Sequence, residues 1–424
     1  MAKTITGKQV GDSYYQVEHP SGLTVLLYPK EHCSTTYAIF GTRYGSIDNC
    51  FQRSDEAGPE SVPEGIAHYL EHKLFESEEG DAFERFSKTG ASANAFTSFE
   101  STCYLFSTTD QVYQSLEILL DFVQSPYFTE ETVRKEQGII GQEIKMYDDD
   151  PQWRVMFNYL KAMYRSHPIR EDIAGTVESI AKITPELLYR CYNTFYNLGN
   201  MVLAIAGNFQ VDKALAVCDK MLKPAAPVTV QRVFPQERDT IVQPVVEERL
   251  SVASPLFQFG FKEPGADQPR SEKDVAATEV LLETLASDAS PLFRRLLDQG
   301  LVNESSFSYE YFEGNGYATV MFSGESKDPQ AVAQAILEEV ERFQREGIPA
   351  EAFERSKRAL YGELVAALNS TGSIANGLVN MHLKGRELFT YIDSLASLRL
   401  EDGEERLRKV FQRERSVLSV ILPH

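Results

Sequence analysis

The octapeptide FERFSKTG at residues 83–90 has a counterpart in the second half of the chain, FRRLLDQG at residues 293–300. Both carry phenylalanine, arginine and glycine at the same places. Each is followed by a strand-like stretch rich in serine and aromatic residues, and then by a predicted amphipathic helix, at residues 111–123 and 331–343. Two copies of one α+β unit, a tandem duplication, therefore account economically for the 424 residues. Chance similarity between unrelated halves is the alternative.

A connecting segment is predicted between the two copies. Prolines cluster and hydrophobic periodicity fades in KPAAPVTVQRVFPQERDTIVQ, residues 223–243. We therefore predict an N-terminal half at residues 1–226, a linker at residues 227–244 and a C-terminal half at residues 245–424.

Composition disfavours several classes of partner. The formal net charge is −20, which argues against nucleic acid and anionic membrane surfaces, since both attract basic patches. The acidity fits either a solvated acidic surface or an acidic chamber that attracts basic peptides. No apolar run approaches the ~18 residues that a membrane span needs.

Cysteine usage and the N-terminal sequence predict a cytoplasmic protein. The five cysteines are an odd number, are scattered and form no CxxC motif, which is typical of reduced thiols rather than of a disulfide framework. The first twenty residues, MAKTITGKQVGDSYYQVEHP, contain no apolar signal segment.

The segment just before the repeated motif, GIAHYLEHKLF at residues 65–75, carries two of the chain's 7 histidines. On a helix, His68, Glu71 and His72 share one face. The two imidazoles can bind one metal ion, commonly zinc, and the glutamate can act as a general base toward a water molecule there. This is the HExxH arrangement in reverse order, HxxEH. The alternative is a surface helix with two solvent-facing histidines, although such a match arises by chance in only roughly one sequence in a hundred.

The second copy of the repeat lacks this polar trio. The offset from Phe83 to Phe293 places Thr278, Leu281 and Leu282 at the corresponding positions. The helix is expected in both halves, so the scaffold does not need the three polar residues. A functional reason for them in the first half is therefore favoured.

A third metal ligand is expected because catalytic zinc sites use three protein ligands and leave one position open. The segment KEQGIIGQEIKMYDDDP, residues 135–151, offers Glu136 and Glu143, two turns apart on one predicted helical face. Spacing alone does not choose between them.

Three blocks together carry a specific resemblance: HYLEHKLFE at residues 68–76, GASANAFTSFESTCYLF at residues 90–106 and KEQGIIGQEIKMYDDDP. They resemble the signature blocks of the pitrilysin/insulinase family of inverted-motif zinc metallopeptidases. The repeat and the chain length are similar to its short branch, which includes mitochondrial processing peptidase subunits and bacterial processing peptidases.

The resemblance implies specific roles. His68, His72 and Glu143 would bind Zn²⁺, Glu71 would be the general base, and Glu136 would support the site from outside the ligand set. It also implies two ferredoxin-like α/β halves and a second chain that helps to enclose a peptide chamber.

The stretch Asn94, Ala95 and Phe96 falls where the family presents a strand edge beside the metal. An extended peptide can add to such an edge through backbone hydrogen bonds, which carry little sequence information. The alternative for Asn94 is an ordinary turn residue.

One departure from the family concerns an arginine and a tyrosine in the second half that help to bind substrate. Here the arginine position falls on Leu297 and the tyrosine position on Val302 or Asn303. The nearby candidates are out of register: Arg294, Arg295 and Tyr309. We therefore expect the metal-bearing subunit of a heterodimer whose homologous partner supplies the pair; a homodimer that functions without it is the alternative.

The predicted function is zinc-dependent endoproteolysis of short or unfolded peptides, as in peptide processing or leader removal. A scaffold or regulatory subunit with little activity of its own is the alternative. Metal storage or sensing is a third reading, and it would not require Glu71.

Overall fold

A computed structural model of the chain describes residues 2–78, 80–265 and 268–424. The chain divides into two units, each assembled from three stretches of sequence. Unit 1 contains Met1–Ile144, Glu171–Val233 and Val365–Phe389, and unit 2 contains Lys145–Arg170, Phe234–Leu364 and Thr390–His424.

The elements of the first half are numbered in chain order. The strands are β1 (Ala2–Gly7), β2 (Asp12–Glu18), β3 (Thr24–Pro29), β4 (Thr36–Thr42), β5 (Cys50–Arg53), β6 (Glu60–Ser61), β7 (Glu76–Ser77), β8 (Gly80–Asp81), β9 (Ser92–Thr97), β10 (Thr102–Thr108) and β11 (Met201–Gly207). The helices are α1 (Ile66–Leu74), α2 (Ala82–Ser87), α3 (Val112–Val123), α4 (Glu130–Asp148), α5 (Pro151–Met163), α6 (Val177–Ile180), α7 (Pro185–Phe195) and α8 (Val211–Met221).

The numbering continues through the second half. The strands are β12 (Val230–Arg232), β13 (Val245–Leu250), β14 (Leu256–Lys262), β15 (Ser308–Gly314), β16 (Tyr317–Glu325) and β17 (Ser416–Pro423). The helices are α9 (Glu272–Ala286), α10 (Pro291–Asp298), α11 (Pro329–Glu346), α12 (Ala350–Ala367), α13 (Thr371–Leu383), α14 (Leu388–Ala396) and α15 (Leu400–Val410).

Unit 1 is built on a seven-stranded sheet with the order β1-β2-β3-β11-β4-β10-β9. Strands β11, β4, β10 and β9 are antiparallel neighbours. In the chain these four strands follow the pattern strand, helix, strand, strand, helix, strand, and their spatial order makes the arrangement ferredoxin-like. Strand β3 then adds to β11 in parallel, and β2 and β1 extend the sheet.

Unit 2 is built on a five-stranded sheet with the order β13-β17-β14-β16-β15. This order matches β3-β11-β4-β10-β9 strand for strand, and β13 is parallel to β17 as β3 is to β11. The shared topology confirms the predicted α+β fold of two ferredoxin-like copies.

The central strands are buried on both faces. Every residue of β11, MVLAIAG, and of β14, LFQFGFK, is buried. Near-continuous apolar runs of this kind are typical of strands that helices cover on both sides. The edge strand β13 instead alternates between exposed and half-buried residues.

Each sheet is covered in part by a helix from the other half of the sequence. Helix α13 packs on β11 and β4 in unit 1, and α5 packs on β17 and β14 in unit 2. Glycines permit the close approach: a Cβ on Gly41 of β4 would lie 3.1 Å from Val379 Cγ1 of α13, and one on Gly260 of β14 would collide with the Tyr159 hydroxyl of α5. The two sequence halves therefore exchange one helix.

The predicted linker at residues 227–244 contains the passage from unit 1 to unit 2. Strand β12 pairs with β5, and unit 2 resumes at Phe234. The boundaries at residues 1–226 and 245–424 remain a prediction, because each unit also takes a stretch from the other half.

The helices predicted from periodicity are present. Helices α3 and α11 cover the two predicted amphipathic segments. Helix α4 begins directly after Thr129, whose hydroxyl accepts a hydrogen bond from the Thr132 N–H at 3.2 Å, and it ends before Pro151, the first residue of α5. Helix α9 occupies the place expected from the repeat and carries the buried Thr278 and Leu281.

Among the described residues, none of the helices combines the length and hydropathy needed to cross a bilayer.

The close approach at Gly260 predicts a large effect of one methyl group. We expect Gly260→Ala to destabilise the protein by about 1–3 kcal/mol, because the new Cβ collides with the Val320 carbonyl and with Tyr159. Gly362→Ala in α12, where a Cβ meets open space, is the matched control and should be neutral or stabilising. Urea unfolding measures both; equal midpoints for the two variants would contradict the packing argument.

Candidate metal centre and active site

Helix α1 is held firmly at its start. Gly65 precedes it with φ +85°, a left-handed conformation that glycine adopts without strain, and a side chain there would collide with the Ala174 carbonyl. The helix packs against β9, β10 and α7, and most of its residues are buried. Its polar side chains therefore sit in a largely dry environment and need partners.

Helix α4 supplies those partners. The Tyr69 hydroxyl of α1 donates a hydrogen bond to the Val133 carbonyl in the second turn of α4. This contact joins the two helices next to the histidines. Glu136 and Glu143, two turns apart on one face of α4, both reach α1.

His68, His72 and Glu143 form a cluster in which one potential ligand atom from each lies within 4.8 Å of the others. The Glu143 Oε2 atom is 3.7 Å from His68 Nε2 and 3.4 Å from His72 Nε2. The two imidazole rings have centroids 4.6 Å apart. The structure thus brings together the three residues predicted as ligands.

The cluster fits a zinc ion. Donors about 2.1 Å from a tetrahedral ion lie about 3.4 Å apart, and Glu143 Oε2 is 3.4 Å from His72 Nε2 and 3.7 Å from His68 Nε2. His68 makes no hydrogen bond through its buried Nδ1 to any described residue, and its Nε2 is too far from Glu143 for one. Burial and the neighbouring His72 lower the pKa of His68 to about 4, so its imidazole is neutral, the form that binds metal.

Glu136 contacts His72 but is not one of the three clustered residues. Its Oε1 accepts a hydrogen bond from His72 Nδ1 at 3.0 Å, which leaves His72 Nε2 facing Glu143. A carboxylate behind a histidine fixes the ring and its tautomer. Burial alone would lower the pKa of His72. The neighbouring carboxylates of Glu136, Glu143 and Glu71 outweigh burial and raise it.

Glu71 lies beside the cluster without joining its donor set. Its Oε2 accepts a hydrogen bond of 2.6 Å from the Thr97 hydroxyl at the end of β9. Burial raises the pKa of the Glu71 carboxyl, and the hydrogen bond from Thr97 opposes that shift. A half-buried carboxylate with a raised pKa beside a candidate metal site is suited to proton transfer.

A cavity of about 550 Å³ opens at Glu71 and His72. Asn94 and Ala95, two of the predicted substrate-binding residues, line it, and Phe96 is not among its described lining residues. They belong to β9, the edge strand of the sheet, whose partner among the described strands is β10. One side of β9 is therefore open beside the cavity.

Sequence reasoning missed several residues of this region. Thr97 ends the strand that contains the predicted substrate residues, and its position in the same sequence block was a usable signal. The apolar wall of the cavity, Phe75, Phe83 and Ile139, offered none, because large apolar residues near a site look like core.

The arginines and the tyrosine nearest the two family positions in the second half are engaged within unit 2. Arg295 contacts Glu339 at 3.5 Å and the Ala335 carbonyl at 3.3 Å. The Tyr309 hydroxyl donates to Glu283 at 2.5 Å. Neither contact changes the sequence-based conclusion that the pair is absent, with Leu297 at the arginine position and Val302 or Asn303 at the tyrosine position.

Two family models match the chain. The model described as Insulinase (Peptidase family M16) covers residues 60–177, and the one described as Peptidase M16 inactive domain covers residues 182–360. The first match contains the histidine cluster, and the second lies mostly in the half without one.

Several known proteins are similar to this chain over its whole length. A Bacillus subtilis (strain 168) protein named uncharacterized zinc protease YmfH is 39% identical over 428 residues, 100% of each chain. The crystal structure of an M16-like peptidase from Alicyclobacillus acidocaldarius is 35% identical, with a TM-score of 0.92 over 100% of this chain and 98% of that one. A protease from Helicobacter pylori, 20% identical, shares the fold with a TM-score of 0.80 over 100% of both chains.

The fold and the sequence place the chain among the metallopeptidases that carry an inverted zinc motif. The chain belongs to the insulinase (M16) family, which confirms the resemblance seen in its signature blocks. Relatives in this family carry the name zinc protease, and the donor set described above is compatible with that metal.

The two glutamates of α4 predict different effects on metal binding. We expect Glu143→Gln to lose most bound zinc, because it removes one of three donors, whereas Glu136→Gln should weaken binding by only about 10–100-fold. Glu131→Gln, an exposed change in the first turn of the same helix, is the control. Zinc per chain after dialysis, measured by elemental analysis, distinguishes them; equal retention in both site variants would contradict the assignment.

Proposed function

We propose that this chain is a zinc-dependent endopeptidase that cleaves short or unfolded peptides, with His68, His72 and Glu143 as metal ligands. The observation that carries the proposal is the position of Glu71: it lies on the ligand helix, half-buried at the cavity, held by Thr97 and outside the donor set. A site for metal storage would have no use for such a group.

The chemistry divides between the metal and the chain. A zinc ion bound there would supply Lewis acidity, lowering the pKa of a coordinated water and polarising a peptide carbonyl. Glu71 accepts the proton of the attacking water and delivers it to the departing amine. Glu136 keeps the His72 ring oriented.

The substrate class follows from the edge strand. An extended peptide adds to β9 at Asn94, Ala95 and Phe96 through backbone hydrogen bonds, which favours unfolded segments of varied sequence. A segment that is already paired inside a folded protein cannot add to β9 in this way. The five cysteines are free thiols, which supports a cytoplasmic, reducing location.

A homologous second chain completes the enzyme in this proposal. The support is the absence of arginine at Leu297 and of tyrosine at Val302 or Asn303. The partner would bear that pair and help to enclose the peptide; a homodimer that functions without the pair is the alternative.

The role of Glu71 is tested by Glu71→Gln. We expect kcat on an internally quenched, unstructured peptide to fall by about 100-fold or more, because the proton acceptor is lost. Zinc content should remain at the wild-type level, since Glu71 is not a donor. Glu131→Gln, the exposed change in the first turn of α4, is the control for altered charge. Unchanged cleavage in Glu71→Gln, or no cleavage by the zinc-loaded wild type in any pairing, would instead support a scaffold or regulatory subunit.

The partner is tested by adding a homologous chain from the same organism that carries the Arg/Tyr pair. We expect the isolated chain to be a monomer by light scattering, and kcat/KM to rise at least about tenfold on mixing, a transition-state contribution of about 1.4 kcal/mol. A partner variant with leucine and asparagine in place of the pair should bind without stimulating. A stable homodimer with undiminished activity would contradict the heterodimer.

A further inference from the structure

Glu71 needs a restraint that its place in the sequence does not supply. It lies three residues after His68 and one before His72 on the same short helix, so its carboxylate would be within side-chain reach of an ion bound by these histidines. A carboxylate is itself a zinc ligand. Without a restraint, Glu71 would compete for the position that a water molecule must occupy.

The restraint visible in the structure is the hydroxyl group of Thr97. Thr97 Oγ1 lies 2.6 Å from Glu71 Oε2 and 3.3 Å from Thr102 Oγ1, and Thr102 Oγ1 lies 2.9 Å from the Tyr44 carbonyl oxygen. Thr102 and Tyr44 are fully buried. Thr97 therefore lies between the site and the core of unit 1.

The direction of the hydrogen bonds follows from counting protons. Each hydroxyl carries one proton, and the carbonyl at the far end only accepts. With the Thr102 proton on the Tyr44 carbonyl, the Thr97 proton goes to Glu71, which is the shortest contact of the series. The two protons therefore point away from each other, and the 3.3 Å contact between the two hydroxyl oxygens is left without a proton.

The Thr97 backbone N–H and His72 also favour the ionised Glu71 carboxylate and Glu143 disfavours it, so a side-chain change at Thr97 removes only the contribution of the hydroxyl. Glu71 also interacts through charge with Cys103, Tyr104 and Tyr196. The Tyr104 and Tyr196 hydroxyls pair with each other at 2.9 Å.

We infer that Thr97 is a positioning residue that holds the Glu71 carboxylate out of the metal's ligand set. The inference rests on the proposed function, because it concerns the same base and the same metal. Since Thr97 is also the last residue of β9, the strand that receives the peptide and the group that positions the base are one element.

The test compares Thr97→Val with Thr97→Ser in zinc-loaded protein. Valine keeps the shape and suits a strand, but it has no proton to donate. We expect kcat to fall at least tenfold in Thr97→Val with KM little changed, and to be restored to within about threefold in Thr97→Ser. Thr108→Val is the matched control and should keep full activity. It removes a hydroxyl at the end of β10 that donates to the Asp110 carbonyl.

A second readout does not depend on activity. If Glu71 is released into the ligand set, zinc should leave Thr97→Val several-fold more slowly than wild type on addition of a chelator. The slowing should disappear in the double variant Thr97→Val/Glu71→Gln. Wild-type zinc release in Thr97→Val, or kcat within twofold of wild type, would overturn the inference. Should Thr97→Val fail to fold by circular dichroism, Thr97→Ala takes its place in both measurements.

The outcome separates this inference from the proposed function. If Glu71→Gln abolishes cleavage while Thr97→Val retains it, the endopeptidase stands and the positioning role fails. If Glu71→Gln cleaves as wild type does, the endopeptidase itself fails.

Discussion

The pairing of α1 with α4 is the contact on which the candidate site depends. Helix α1 is buried among β9, β10 and α7, yet one of its faces carries three polar side chains. Burying such groups without partners is costly. Helix α4 contributes two carboxylates two turns apart, and the Tyr69 hydroxyl fixes the helices so that Glu136 meets His72 and Glu143 meets both histidines. A cation bound among these donors would take one ring nitrogen of His68.

The second half has the same scaffold without the three polar side chains. Helix α9 has the position of α1, but Leu281 and Leu282 replace the glutamate and the second histidine and are buried in an apolar environment. Thr278 replaces the first histidine and accepts a hydrogen bond from Arg406 at 2.7 Å, in a buried network that includes Glu263. The duplicated fold is thus stable with or without the site. The polar trio is therefore explained by function and is not required by the fold.

The sequence predicted the repeat, the paired helices and the placement of His68 and His72 on one face, because these depend on local periodicity and on one distinctive motif. Spacing left Glu136 and Glu143 equivalent, and the choice of Glu143 as third ligand came from the family resemblance. The sequence did not reveal that Thr97 hydrogen-bonds Glu71, since contact across 26 residues depends on the register of β9 against β10. It also did not reveal the exchange of α5 and α13. An amphipathic helix shows that it has a buried face, but its own sequence does not show which sheet covers that face.

The exchange of helices has a consequence for how the protein is made. Helix α13 covers the sheet of unit 1 but is synthesised long after the strands it packs on, β4 and β11. During synthesis, the apolar surface around Gly41 therefore stays uncovered until most of the second half has left the ribosome. Long-range contacts of this kind form slowly and leave apolar surface open to aggregation. An N-terminal half produced alone would lack the helix that covers its sheet, so the duplicated halves are not independent modules, although each contains a complete set of ferredoxin-like strands.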